Sequence, residues 1–138
     1  MATGKLIITA EDRERLEGLL ESPLASVAGP SNQFHGLRAE LRQAAIVPAD
    51  EVPPDVVTMN STITLRDFET NDTETYTLVY PEDADIASNR LSVLAPIGTA
   101  ILGQRVGDKL RWPVPAGWRR LRIEQVIYQP ERAGAFQL

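Results

Sequence analysis

Apolar residues recur at helical spacing in the first third of the chain and alternate with polar ones through most of the rest. Leu16, Leu19 and Leu20 form one stripe. Ahead of them, Thr9-Ala10-Glu11-Asp12 reads as a helix start: a threonine hydroxyl caps a free backbone N–H, and acids suit the positive helix end. Ser22-Pro23 closes that helix near Glu21, because the residue before a proline is pushed out of the helical region. Phe34, Leu37, Leu41, Ala44 and Ala45 give a second stripe, from a helix starting near Ser31 or Asn32. The spacing predicts two helices of about 12–14 residues, or about 18–21 Å each at 1.5 Å per residue. Stripe to stripe they form an antiparallel hairpin. Helices this short are marginal alone, so the hairpin is expected to lean on the rest of the protein. Lys5 to Thr9, just before it, reads as a short strand or an extended lead-in.

Pro48-Ala49-Asp50-Glu51-Val52-Pro53-Pro54 neither continues a helix nor enters a central strand, and marks a boundary. Beyond it, Val57 to Leu65 alternates, with Val57, Met59, Ile63 and Leu65 on one face. Asn71-Asp72 supplies turn chemistry, Glu74 to Tyr80 returns, and Pro81 stops the strand. Leu91 to Leu94 is a short strand. Pro96 opens a helix to Leu102, and Gly103 ends it. Lys109 to Trp112 and Arg119 to Tyr128 are the last strands, with Leu121, Ile123, Val126 and Ile127 as inward candidates. Adjacent Val126 and Ile127 break the alternation and predict a bulge.

Composition narrows the chemistry. The 138 residues contain no cysteine and one histidine, His35, which excludes disulfides, thiolate sites and histidine relays. A net charge of −5 argues against a globally basic nucleic-acid binder. No apolar stretch approaches the roughly 20 residues of a membrane span, and the N-terminus does not read as a signal peptide, so the cytoplasm is expected.

The succession Val79-Tyr80-Pro81-Glu82-Asp83-Ala84-Asp85, then Leu91-Ser92-Val93-Leu94-Ala95-Pro96-Ile97-Gly98, then Arg105-Val106-Gly107-Asp108 and Pro115-Ala116-Gly117 resembles the C-terminal domain of the bacterial Gre transcript-cleavage factors. Asp55 to Ser61 and the ending Tyr128-Gln129-Pro130 look more like one branch of that family, the regulators of nucleoside diphosphate kinase. The resemblance implies an α+β protein: residues 1–50 as a short helical hairpin, a truncated coiled coil, and residues 51–138 as an FKBP-like antiparallel sheet wrapped on one short helix. It implies RNA polymerase as the partner, met at the rim of the secondary channel, and leaves a link to nucleoside diphosphate kinase as an indirect one. In the Gre factors, acids at the tip of a long coiled coil help hold a catalytic magnesium, a hard ion that takes oxygen ligands. Here the connection from Ser22 to Gln33 has no Asp or Glu, with Glu21 at its edge. The expectation is a binder that does not stimulate cleavage, has no catalytic residue of its own, and needs neither cofactor nor metal; the alternatives are a Gre-like elongation factor with residual cleavage activity and a regulator that binds a protein other than the polymerase.

The resemblance makes Ala95, Pro96, Ile97 and Gly98 a docking loop, although Pro96 as a helix start and Gly98 as a packing residue explain the same letters. Asp83 and Asp85, with Glu82, are either a solvated acidic turn or partners for basic residues on the polymerase. Leu24, Ala25 and Val27 mark the hairpin tip. Arg119, Arg120 and Arg122, near Arg111, form a basic cluster that reads as a solvated sheet face, with 119 opposite to 120 and 122. The low aromatic content offers no stacking platform, so direct DNA or RNA contact is not expected. An FKBP-like fold also suggests a prolyl isomerase, but Tyr76, Tyr80, Trp112, Trp118 and Tyr128 match no isomerase motif.

Overall fold

A computed structural model of the chain describes residues 6–23, 25, 35–114 and 117–133, with the backbone alone at 35, 36, 112–114, 132 and 133. The first element is a two-residue strand, β1 (Ile7–Ile8), followed by α1 (Ala10–Leu20). Thr9 caps α1 as expected, its hydroxyl accepting from the Asp12 N–H at 3.3 Å. Leu16 and Leu20 are buried and Leu19 packs beside them. Leu37 and Leu41 face the same cluster from α2 (His35–Arg42); the expected start near Ser31 and the residue Phe34 lie outside the described residues.

Ala45 corrects the helical reading. It lies in β2 (Ala45–Ile46), which pairs parallel with β1, Ile7 opposite Ala45 and Ile8 opposite Ile46. The helix stops at Arg42, short of Ile46-Val47-Pro48, where β-branched residues and a pre-proline position both favour extended backbone. The hairpin therefore begins and ends in neighbouring strands.

The proline-rich segment contains a 3-10 turn, Ala49–Glu51. The second part comprises β3 (Thr62–Asp67), β4 (Thr73–Val79), β5 (Arg90–Ser92), α3 (Pro96–Ile101), β6 (Lys109–Val114), β7 (Gly117–Tyr128) and α4 (Pro130–Ala133). The five strands run in the order β5-β4-β3-β7-β6. The sheet is mixed, not antiparallel throughout: β4 and β5 pair parallel, with Val79 opposite Ser92. Pro81 accounts for this, because it ends β4 in a 3-10 turn, Pro81–Asp83, where a tight hairpin would need to form. A second 3-10 turn, Ile86–Ser88, then brings the chain back to enter β5 in the same direction as β4.

Two further expectations shift. The strand foreseen from Val57 starts only at Thr62, since Asn60 takes a left-handed backbone (φ +67) inside a turn; Val57 and Met59 are buried nonetheless. Ile127 is 48% exposed because of the bulge: Thr62 faces Tyr128 and Ile63 faces Val126, so Ile127 is the extra residue.

The buried apolar cluster is continuous across the proline boundary. It joins Leu16, Leu20 and Leu41 to Ile63, Leu65, Leu78, Ile101, Leu121 and Ile123. Gly103 sits at the seam with φ +83, and a Cβ there would lie 2.5 Å from Leu6 Cδ1. Among the described residues no helix is long and apolar enough to cross a membrane.

Candidate functional site

Because β4 and β5 run the same way, the loop after Val79 and the loop after Ser92 leave the sheet at one edge. That places the start of the acidic loop, with Asp83, at the same edge as Ala95 to Gly98. Asp85 sits elsewhere, beside Arg90 at the beginning of β5.

The acidic loop is largely committed to internal contacts. The Asp85 carboxylate accepts from the Ala87 N–H at 3.1 Å and from the Ser88 hydroxyl at 3.0 Å, and so caps the Ile86–Ser88 turn. Glu82 pairs with Arg15 of α1. Asp83 is exposed, and Ile86, which the sequence pattern did not single out, is 70% exposed.

In the second loop, Pro96 starts α3, and Thr99 donates its hydroxyl to the Val93 carbonyl at 2.7 Å. Pro96 is exposed, Ala95 and Ile97 are half-buried against the core, and Gly98 is buried. A Cβ on Gly98 would lie 2.1 Å from the Ser92 carbonyl oxygen, so the loop closes on β5 only with glycine. Of these four residues, Pro96 presents the most open surface. Ala25 of the expected tip is buried in the core cluster, while Leu24 and Val27 lie outside the described residues.

The helical part is clasped to this edge. Tyr80 donates its hydroxyl to Asp12 Oδ1 at 2.8 Å, and the Arg15 guanidinium lies 3.7 Å from the centre of the Tyr80 ring. Burial first, then the Asp12 carboxylate, pushes the Tyr80 hydroxyl far above its usual range, so it stays a donor. Beside the clasp opens a cleft of about 890 Å³, bounded by the first turn of α1, β2, Asp83 and the segment from Tyr128 to Glu131.

A second network ties the C-terminal end to the segment after the proline boundary. The Gln129 amide donates to the carbonyls of Pro53 and Val56, both at 2.8 Å. Glu131 accepts from the Thr58 hydroxyl at 2.8 Å, and Thr58 and Ser61 share a further 2.8 Å hydrogen bond. Burial raises the Glu131 pKa, and the Thr58 hydrogen bond opposes that rise. These are the two branch-like segments of the sequence, and their shared role is to hold each other.

Among the described residues no three His, Asp or Glu converge as metal ligands. The segment 22–33 contains no carboxylate, so its residues do not fit a magnesium-holding tip.

Residues 52–128 match the family model of the GreA/GreB transcription elongation factor C-terminal domain, and residues 5–47 match the Rnk N-terminus. The regulator of nucleoside diphosphate kinase from Escherichia coli strain K12 is 39% identical over 139 residues, covering all of both chains. The GreA elongation factor of Pelobacter propionicus is 32% identical over 93 residues, 67% of this chain and 59% of that one. A solved structure, the prokaryotic transcription elongation factor GreA/GreB from Nitrosomonas europaea, is 42% identical and superposes with a TM-score of 0.78, covering 91% of this chain and all of that one.

Proposed function

The chain belongs to the GreA/GreB transcription elongation factor family, with the Rnk type of N-terminus, and from that premise we propose that it binds RNA polymerase at the rim of the secondary channel without stimulating transcript cleavage. The observation that carries the second half is the hairpin itself. Its first helix has 11 residues, about 16 Å at 1.5 Å per residue. Residues 22–33 of its connection have no carboxylate with which to help hold a magnesium ion and a water, and Glu21 stands alone at the helix end. It occupies a site and supplies no ligand.

Docking is assigned to the edge where Asp83 and Pro96 are exposed, with Ala95, Ile97 and Gly98 shaping the loop, and to its extension along β5, where Asp85 caps the turn that exposes Ile86 at the strand's other end. The C-terminal part is read as FKBP-like, on a sheet packed against one short helix. The protein works in the cytoplasm, where its polymerase is, and is a regulator, not an enzyme. The link to nucleoside diphosphate kinase carried in its relatives' name is taken as an effect on enzyme level.

Backtracked polymerase complexes with 3′-labelled RNA test this. The protein alone leaves the RNA intact, and added in excess it slows cleavage by a Gre factor in competition. Accelerated cleavage by the protein alone overturns the proposal, as does recovery of the kinase without core polymerase in a pull-down from one lysate.

A further inference from the structure

The outer face of the β6–β7 hairpin concentrates positive charge in a protein whose net charge is −5. Register places Arg111 directly opposite Arg120 and Lys109 directly opposite Arg122. Residues directly opposite share a face, and like charges in that position are destabilising. Neighbouring cations on the other face are neutralised: Arg119 bonds Asp67 at 3.0 Å and Glu74 at 2.6 Å. On the outer face Glu124 serves Arg122 and Arg66. Lys109, Arg111 and Arg120 make no ion pair among the described residues.

Two aromatic rings stand among these cations. Trp118 is 52% exposed with the Arg111 guanidinium 4.4 Å from its ring centre, and Phe68 is 41% exposed with Lys109 Nζ at 5.7 Å. Phe68, Lys109, Leu110, Arg111 and Arg120 line an open groove of about 470 Å³. Three unneutralised cations seek anions, and two exposed rings offer flat apolar surface. An acidic protein segment answers the first property alone; a single nucleic-acid strand answers both, phosphates on the cations and bases on the rings.

Against the expectation drawn from the low aromatic content, we propose that this face, which gathers Trp118 and Phe68 beside its cations, binds single-stranded RNA through its phosphates and bases. The choice of RNA over DNA rests on the polymerase reading above; the binding test itself uses no polymerase, so either proposal fails without the other. Lys109, Arg111 and Arg120 take phosphates, and Trp118 and Phe68 stack bases. The overall negative charge does not prevent this, since at about 0.1 M salt charges more than about 10 Å away are largely screened.

The test is fluorescence anisotropy of the full chain with a labelled oligouridine of about 12 nucleotides, within the range that such folds cover. Binding is expected at Kd of about 10⁻⁴ to 10⁻⁶ M, with a slope of log K against log salt of about −2 for three phosphate contacts. Trp118→Ala is expected to weaken binding about tenfold, the loss of one stacked base. Arg120→Ala is expected to reduce the salt slope by about 0.7. Both side chains lie on an exposed face, and circular dichroism confirms that the variants fold. Absence of binding at low salt, unchanged affinity in both folded variants, stronger binding of the equivalent single-stranded DNA, or displacement of RNA by polyglutamate at equal charge each overturn the proposal.

Discussion

Gly98→Ala separates packing from docking in the loop that the family resemblance singles out. The added Cβ falls 2.1 Å from the Ser92 carbonyl oxygen, 3.0 Å from its carbon and 3.1 Å from Val93 Cα. A carbon rests comfortably about 3.3 Å from a carbonyl oxygen, so one side must move by roughly 1.2 Å. Neither side is free. The Ser92 carbonyl accepts from the Ala95 N–H at 3.0 Å, and Val93 donates to the Val79 carbonyl at 2.9 Å. Overpacking of this kind costs about 1–3 kcal/mol, and a lost hydrogen bond adds about 1 kcal/mol. Alanine returns up to about 1 kcal/mol through helix propensity. The net loss is about 1–3 kcal/mol, or a urea midpoint lower by about 0.5–1.5 M at a slope near 2 kcal/mol/M. Gly18→Ala is the control. Gly18 lies in α1 with nothing within 4 Å of its virtual Cβ, so the same substitution there stabilises by about 0.5–1 kcal/mol. If Gly98→Ala unfolds at the parent's urea concentration, the close approach to Ser92 is not structural and the packing argument fails.

Tyr80→Phe removes the hydrogen bond to Asp12 and leaves a carboxylate without its donor; a loss of about 1.5–3 kcal/mol is expected by urea denaturation, and a loss within error refutes the clasp. Glu131 has a folded-state pKa raised by burial above its ordinary 4.5, so its contribution is full at low pH and is lost as pH rises through the raised value. Glu131→Gln should therefore flatten the stability–pH curve above about pH 4.5, and an unaltered curve contradicts this. Asp67 has the opposite sign: the Glu69 N–H and then Arg119 lower its pKa below 3.8, so its contribution is lost as pH falls through that lowered value, and Asp67→Asn should remove this part of acid unfolding. Ile86→Asp, at a side chain 70% exposed, should leave the urea midpoint unchanged and weaken polymerase binding by about 1–2 kcal/mol, read by competition with a Gre factor.

Features set by neighbouring residues were legible in the sequence. Thr9 as a cap, Pro96 as a helix start and the bulge at Ile127 each follow from a few adjacent side chains. Features set by long-range pairing were not. Nothing local to Arg90–Ser92 says that it lies parallel to β4, and nothing local to Ala45 says that Ile7 lies opposite. The exposed residues proposed for docking divide in the same way. Asp83 and Pro96 were readable from the motif, whereas Ile86 stands out only when the capped turn beneath it is seen. The basic face was half-legible. The parity of Arg120 and Arg122 was plain, but the partners of Arg119 and the stacking of Arg111 on Trp118 needed the register of β6 on β7.

The two branch-like segments bear on what distinguishes this chain within its family. Asp55 to Ser61 and Tyr128 to Pro130 lie far apart in sequence, yet Gln129 joins them with a buried hydrogen bond to the Val56 carbonyl, adds a part-buried one to Pro53, and the neighbouring Glu131 contacts Thr58. An amide donating to two carbonyls is poorly replaced by a side chain with fewer donors, which gives a physical reason for glutamine at that position. The same staple sits next to the cleft beside α1, where the Asp12 charge adds to the burial that raises the Glu131 pKa. The base of the short hairpin is held by Tyr80 on Asp12 and by Glu82 on Arg15. On the proposed function, a short hairpin held at its base and carrying no carboxylate at residues 22–33 would fill a channel mouth without supplying a metal ligand.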